Sequence, residues 1–211
     1  MTRHGLVWFF TIIAIFLFAP LIVTANQYRN CLGTELENVT TWFGEEETAA
    51  MLAKSNRMYA DVMVSSGLDP AIRKSLAKPV PTKEVAPGVK LSQNMQGYAN
   101  QVESYWENML ANIGLFCFRL AHVSVWMLYL TPFLLAAIFD GVMTRKAKLV
   151  SFKYTSPTVY NLSWHMIIAL VAISLVSFAI VVPVSVIAYP FGLTIICLLV
   201  RLVISNVQHS A

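Results

Sequence analysis

The chain has 211 residues, of which 57% are apolar and 12% are charged. Soluble domains typically have about 45–50% apolar and about 25% charged residues. This composition excludes a conventional soluble enzyme and predicts an all-α integral membrane protein with about four transmembrane helices. The three cysteines, Cys31, Cys117 and Cys197, are too few and too scattered for a disulfide framework or a zinc site, and no cofactor is predicted.

The first predicted transmembrane helix occupies residues 1–25. The run 5–25 has no charged residue, and at about 1.5 Å per residue it is long enough to cross about 30 Å of hydrocarbon. A cleaved signal peptide is the alternative, because Arg3 and His4 give a basic start and residues 23–25 resemble a cleavage site. The length of the apolar run favours a retained anchor.

Residues 26–112 form a predicted helical segment outside the cytoplasm. They carry 8 Lys/Arg and 10 Asp/Glu, a net charge of 8 − 10 = −2. The positive charge of the whole chain, +4, therefore belongs to the membrane flanks, and no direct nucleic-acid binding is predicted. Helical spacing predicts one helix over 44–65, ended by Gly67, and a short helix over 69–77. A proline-rich linker follows over 78–91.

A regular apolar seam follows the linker. Its members recur at alternating steps of three and four residues, which is the pattern of a coiled coil: Met95, Tyr98, Val102, Tyr105 and Met109. The seam predicts one continuous helix over 93–139 and packing between subunits, that is, a homo-oligomer. The alternative is a hairpin with the helix over 44–65 inside one chain.

The second span is predicted over 113–140, ending at Asp140-Gly141. It contains Arg119 and His122 one turn apart, and ionisable groups inside a span are candidates for function. They could line a pore or contact a neighbouring helix. The alternative is that Arg119 lies near the outer end of the span and extends to the interface. Ser124 and His165 do not complete a hydrolase motif, so no enzyme activity is predicted.

The carboxyl-terminal apolar run, 162–205, is too long for one crossing. Pro183 and Pro190 lie near its middle and predict a hairpin of two spans, the first of which begins after Ser156-Pro157, with a tail over 206–211. A three-span alternative places residues 190–204 in the membrane interface or in a re-entrant loop.

The predicted loop over 141–161 carries four cations, Arg145, Lys146, Lys148 and Lys153. Short cytoplasmic loops collect Lys and Arg, so this loop and both termini are predicted inside and residues 26–112 in the periplasm. The cations, with Tyr160, are predicted to contact membrane lipids or an acidic partner. Cys31 is on the outer side, where it could cross-link subunits or remain a buried thiol.

The stretch 131–165 resembles the integrating conjugative element membrane protein family. The residues that carry the resemblance are Pro132, Asp140, Gly141, Arg145, Lys146, Tyr160 and His165. The resemblance implies a bacterial inner-membrane component of conjugation and type IV secretion, with the coupling ATPase as a suspected partner. Together with the seam and the basic loop, it predicts a non-enzymatic scaffold or docking protein. The alternative is a self-assembled channel or a factor that excludes incoming DNA.

Overall fold

The computed structural model of the protein describes residues 2–76 and 91–207, with side chains over 6–74 and 101–207. The described chain is helical, as predicted. Its helices are α1 (Thr2–Ile22), α2 (Ala25–Phe43), α3 (Glu45–Tyr59), α4 (Leu68–Leu76), α5 (Leu91–Val150), α6 (Pro157–Ala179) and α7 (Ala188–Ser205). The chain divides into two compact units, of which one comprises residues 13–121 with 179–183 and the other comprises the remaining residues.

The chain bends by 112° between α1 and α2, and two asparagines of α5 hold the bend. Pro20 lies inside α1 and has no N–H, so the carbonyl of Phe16 lacks its donor one turn later. Asn112 Nδ2 donates to this carbonyl at 3.3 Å. Asn108 Nδ2 donates to the Pro20 carbonyl at 2.9 Å, and its Oδ1 accepts the N–H of Ala25 at 2.6 Å. The amide side chains thus replace backbone hydrogen bonds that a bent helix pair cannot make.

The predicted helix over 44–65 is observed as α3 followed by one π turn over Ala60–Val64. Glu45, Glu46 and Glu47 occupy its first turn, where the positive end of the helix dipole favours acidic side chains. Gly67 has a φ of 76° and ends the segment, as predicted. The predicted short helix over 69–77 is α4.

A polar contact joins the end of α3 to α4. The Tyr59 hydroxyl donates to Asp69 Oδ2 at 2.7 Å, and Arg73 forms an ion pair with the same carboxylate. Burial, together with the hydrogen bond to Asp69, raises the pKa of Tyr59 to about 12. Burial opposes ionisation of Asp69, but Tyr59 and Arg73 outweigh it and hold the pKa of that carboxyl below its usual range.

Helix α5 is a single helix of 60 residues. The sequence predicts its continuity from residue 93 to 139, and the structure confirms it. The predicted end at Asp140-Gly141 is wrong, because the helix runs on to Val150. Residues 141–150 are therefore helical, and the predicted loop over 141–161 is confined to the connection before Pro157. Gly141 lies inside this helix, where glycine costs only about 0.5–1 kcal/mol relative to alanine.

Helix α6 begins at Pro157, as predicted, and the chain is not helical between Ala179 and Ala188. The break coincides with Pro183. Pro190 lies inside the first turn of α7 and does not interrupt it, because backbone N–H groups there have no partner within the helix.

Among the described residues, three helices have the length and composition to cross a membrane; they lie within Gln101–Val150, Pro157–Ala179 and Ala188–Ser205. The bent pair of α1 and α2 would make a fourth. Helix α2 lies in the predicted helical segment over 26–112, but the sequence pattern does not define a helix over 26–43. The linker over 78–91 lies outside the described residues except for Leu91, the first residue of α5.

Candidate functional site

Arg119 of α5 is buried at the centre of a polar network. Its side chain is 0% exposed, and that of its ion-pair partner, Glu35 of α2, is 3% exposed. Arg119 Nε donates to the two Glu35 carboxylate oxygens at 3.0 and 3.2 Å, and Nη2 donates to Oε1 at 2.5 Å. A buried charge is tolerated when it is paired and its donors find acceptors. Both conditions are met here.

The same guanidinium holds the non-helical segment that follows α6. Nη1 donates to the carbonyl of Ile180 at 2.7 Å, and Nη2 donates to the carbonyl of Val182 at 2.8 Å. Carbonyls in non-helical backbone lack intrahelical donors, and the Arg119 guanidinium supplies donors to these two. Arg119 therefore joins α2, α5 and the segment 180–182 at one point.

Cys31 lies one turn from Glu35 and is part of this network. Its thiol is within 3.8 Å of Glu35 Oε1 and accepts from Arg119 Nη2 at 3.4 Å. Cys31, Tyr28 and Leu115 form an apolar cluster beside the ion pair. Cys31 is a buried free thiol within the described chain, and its cross-linking between subunits stays a prediction.

The interpretation that Arg119 extends to an interface is wrong. Its head group is enclosed, because a carboxylate and two carbonyls surround it at hydrogen-bond distance. Glu35 is not among the residues that the sequence pattern singles out. A signal was available, since a guanidinium inside an apolar span requires a carboxylate partner, but the sequence does not show which of its 11 acidic residues supplies it.

His122 is buried in the other unit, with 2% of its surface exposed. Its Nε2 accepts from the Trp126 indole at 3.1 Å, and its ring packs edge-on against Tyr189 of α7, with ring centroids 5.2 Å apart. Ser124 is two residues away on the same helix, and side chains at that spacing do not face each other. The packing gives His122 a role in joining α5 to α7.

The Asp140-Gly141 motif forms a second contact between α5 and α7. Asp140 forms an ion pair with Arg201 of α7. A Cβ atom at Gly141 would lie 3.0 Å from the Arg201 carbonyl oxygen and 3.1 Å from Ile204 Cβ. Because larger residues would clash, glycine at this position permits close approach of the two helices.

Lys148 extends the same contact to the end of α7. Its Nζ donates to the carbonyl of Ser205 at 3.1 Å and to Asn206 Oδ1 at 2.9 Å. The last carbonyls of a helix lack donors and carry partial negative charge, so a lysine is favourable there. The Asn206 Oδ1 also accepts the N–H of Ser156 at 3.3 Å.

The other residues predicted to contact lipid or a partner lie near the connection between α5 and α6. Lys146 and Lys153 are exposed, whereas Arg145 and Tyr160 are half-buried. Lys148 therefore differs from the other cations, because its ammonium group donates hydrogen bonds within its own chain.

The turn after α5 has an unusual residue at its centre. Phe152 has a φ of 50°, and Lys153 N–H donates to the Lys148 carbonyl at 2.9 Å across it. This is the Schellman arrangement that ends many helices, in which the left-handed position is usually glycine. A residue with a Cβ there costs about 1–2 kcal/mol. Phe152 is nevertheless 97% exposed.

The predicted seam is partly described. Val102 is exposed, and Tyr105 and Met109 are half-buried. The Tyr105 hydroxyl donates to the Leu17 carbonyl of α1 at 3.2 Å. The side chains of Met95 and Tyr98 lie outside the described residues. Within its own chain, α5 contacts α1 through Tyr105 and α2 through Leu115.

A comparison with protein families decides the assignment. The family model described as IncC plasmid conjugative DNA transfer protein DtrJ-like matches residues 29–210. The chain belongs to the DtrJ-like family. This membership confirms the resemblance to a conjugative-element protein and implies a role in conjugative DNA transfer. No curated protein and no solved structure matches the chain.

The DtrJ-like match covers the network around Arg119 and the contact between the end of α5 and α7. Glu35, Arg119, Asp140 and Lys148 all lie within 29–210. The apolar helices of the chain are compatible with a membrane protein of a conjugation system.

Proposed function

We propose that this DtrJ-like protein is a non-enzymatic inner-membrane component of conjugative DNA transfer. It acts as a scaffold and docking partner for the coupling ATPase of a type IV secretion system. The observation that carries the proposal is the family match over residues 29–210. Three long apolar helices support the membrane placement.

The docking surface that we propose lies at the cytoplasmic end of α5 and the start of α6. Arg145 and Lys146 are on the last turns of α5, and Asp140 is the last acidic residue in the chain. A cation surface favours an acidic partner and steers its approach. The ion pair of Asp140 with Arg201 and the contacts of Lys148 give this surface a fixed frame.

Homo-oligomer formation is the second part of the proposal. An apolar groove between α1 and α5 is lined by exposed or half-buried side chains, among them Leu17, Phe18, Leu21, Val102, Tyr105 and Trp106. Two of these belong to the predicted seam. A second copy of the chain would bury this surface and extend the thin core of the outer segment.

A scaffold is favoured over a channel by the position of Arg119. The pore hypothesis depends on polar side chains that face a lumen. Arg119 instead donates to a carboxylate and to two carbonyls of its own chain. Arg119, one of the two residues on which the pore hypothesis rests, is therefore occupied in joining α2, α5 and the segment 180–182.

The proposal is tested by charge reversal on the docking surface. In cells that depend on this protein for plasmid transfer, Arg145→Glu/Lys146→Glu should lower transfer frequency and coupling-ATPase recovery while the protein stays in the membrane. The matched control is Arg57→Glu/Lys74→Glu, which changes the charge equally on the exposed surface of α3 and α4. Equal transfer by both variants would contradict the docking surface, and normal transfer after deletion of the protein would contradict the function.

A further inference from the structure

A cavity of about 260 Å³ lies among α2, α3, α4 and α5. All of its lining residues belong to the unit that comprises residues 13–121 with 179–183. Arg29, Arg73 and Glu107 supply charged groups to the lining, and Leu32 and Leu110 supply apolar surface. Sites for drug-sized ligands have volumes of about 300–1,000 Å³, so this cavity fits a smaller molecule.

The cavity has open space beside Gly114 of α5, which is one of its lining residues. A Cβ atom added at Gly114 would have no contact within 4 Å apart from the adjacent backbone of its own helix. At Gly141 of the same helix, by contrast, a Cβ atom would lie 3.0 Å from a carbonyl oxygen of α7. The glycine at position 114 therefore leaves room for a ligand group rather than for a neighbouring helix.

A buried hydroxyl of the lining lacks a partner. Tyr28 is 1% exposed, and its hydroxyl has no hydrogen-bond partner in the part of the chain that the structure describes. Buried polar groups are nearly always hydrogen-bonded, and leaving one unsatisfied is costly. Because Tyr28 lines the cavity, its hydroxyl is left to donate to a group that occupies this space.

The charges of the lining indicate the class of ligand. Among the described residues, neither Arg29 nor Glu107 forms an ion pair, and Arg29 contacts only Asn26 Oδ1 at 3.4 Å. A planar guanidinium binds a carboxylate through two parallel hydrogen bonds. A carboxylate in the same cavity attracts an ammonium group and repels a dianion such as phosphate. Two opposite charges without partners in one small cavity therefore favour a zwitterion.

We propose that this cavity binds a free amino acid with an apolar side chain. Arg29 binds the carboxylate of the ligand, Tyr28 donates to one of its oxygens, and Glu107 binds its ammonium group. The apolar side chain of the ligand occupies the space beside Gly114. A ligand held in this way contacts α2 and α5 together and stabilises this unit by mass action. The inference goes beyond the proposed function and does not depend on the role in DNA transfer.

The first test measures binding to the full chain in detergent with leucine as the probe, by calorimetry and by the shift in Tm. Leucine amide lacks the carboxylate, and 4-methylpentanoate lacks the ammonium group. We expect saturable binding of leucine, and binding of each analogue that is weaker by about tenfold or more, because each loses a charge-assisted contact. Absence of saturable leucine binding would overturn the proposal. Equal binding of 4-methylpentanoate would indicate a simple carboxylate site and would also overturn it.

The second test fills the cavity. Gly114→Leu places a side chain in the open space and should abolish leucine binding while the protein remains folded. The matched control is Gly33→Leu on the exposed surface of α2, where a Cβ atom also has no contact within 4 Å and which is not part of the lining. This control should bind leucine like the wild type. Unchanged binding by Gly114→Leu, or equal loss in both variants, would contradict the assigned cavity.

The third test separates binding from stability. Tyr28→Phe removes a hydroxyl that has no partner, so Tm without leucine should stay equal or rise, whereas leucine binding should weaken severalfold. Arg29→Gln should weaken binding of leucine but not that of leucine amide, and Arg57→Gln, outside the lining, is its control. Unchanged leucine binding by Tyr28→Phe and Arg29→Gln would overturn the proposal. None of these measurements involves plasmid transfer, so failure of the proposed function would be recognised separately.

Discussion

The ion pair between Arg119 and Glu35 gives the sharpest prediction of stability. Removing one partner of a buried pair costs about 3–5 kcal/mol, because the remaining charge is left uncompensated. Glu35→Leu should therefore destabilise the protein by about that amount. For a chain of this size, a loss of about 1 kcal/mol lowers Tm by about 2–4 °C. The expected fall is about 6–20 °C.

Arg119→Met should be more damaging than Glu35→Leu. It leaves the Glu35 carboxylate buried and also removes the donors to the carbonyls of Ile180 and Val182. A carbonyl that loses its donor and finds no other costs about 1–3 kcal/mol. The double variant Glu35→Leu/Arg119→Met removes both charges and keeps only the carbonyl cost. It should therefore be more stable than Arg119→Met alone.

The assay is thermal unfolding of the purified protein in mild detergent, monitored by circular dichroism. The matched control is the exposed pair of Asp140 and Arg201, whose side chains are 52% and 43% exposed. Exposed pairs contribute about 0–1 kcal/mol, so Asp140→Leu should lower Tm by less than about 4 °C. If Glu35→Leu lowers Tm no more than Asp140→Leu, or if the two substitutions in the buried pair are additive, the explanation of the network is refuted.

Three further predictions concern the helix contacts. Gly141→Ala should lower the free energy of unfolding by about 1–3 kcal/mol, because the new Cβ meets α7. Gly114→Ala on the same helix has open space around it and should raise the free energy of unfolding by about 0.5–1 kcal/mol, so a Tm for Gly141→Ala that is not below that of Gly114→Ala would contradict the packing. Lys148→Met should cost about 1–2 kcal/mol through lost hydrogen bonds to the end of α7, whereas Lys146→Met should be within about 0.5 kcal/mol of the wild type; equal Tm values would contradict the contact. Because the pKa of Asp69 is lowered by folding, the carboxylate stabilises the fold fully above its unfolded-state pKa of about 3.9, and this stabilisation is lost as pH falls through the lower folded-state pKa. Asp69→Asn should therefore lose less unfolding free energy than the wild type as the pH is lowered, and identical profiles of unfolding free energy against pH would refute the linkage.

The local pattern of the sequence predicts most helices. Gly67 indicates where the segment of α3 and its π turn ends, and Pro157 indicates where α6 begins, because such signals act within a few residues. Helix α2 is missed because its composition is mixed, and its stability comes from contacts of Tyr28 and Cys31 with α5. The continuation of α5 beyond Gly141 is missed for a related reason. From the sequence alone, Gly141 predicts the end of a helix, and the close approach of α7 at this position is visible only in the structure.

The candidate site depends on contacts across long stretches of sequence. Arg119 could be selected from the sequence as an ionisable group in an apolar span. Its partner is 84 residues away, and Lys148 meets its acceptor, Asn206, 58 residues away. Sequence spacing within one helix carries no information on such pairs. The interpretation of the four cations as one surface is therefore too simple, since Lys148 serves the fold and Arg145, Lys146 and Lys153 remain for contacts outside it.

The most direct test of the central claim is to extract the native protein from its own membranes in mild detergent. The complex is then sized and its components are identified by mass spectrometry. The proposal predicts that the coupling ATPase is recovered with more than one copy of this chain, and that Arg145→Glu/Lys146→Glu loses the ATPase but retains self-association. Recovery of a large assembly of this chain without the ATPase would contradict the docking function and would favour a self-contained channel.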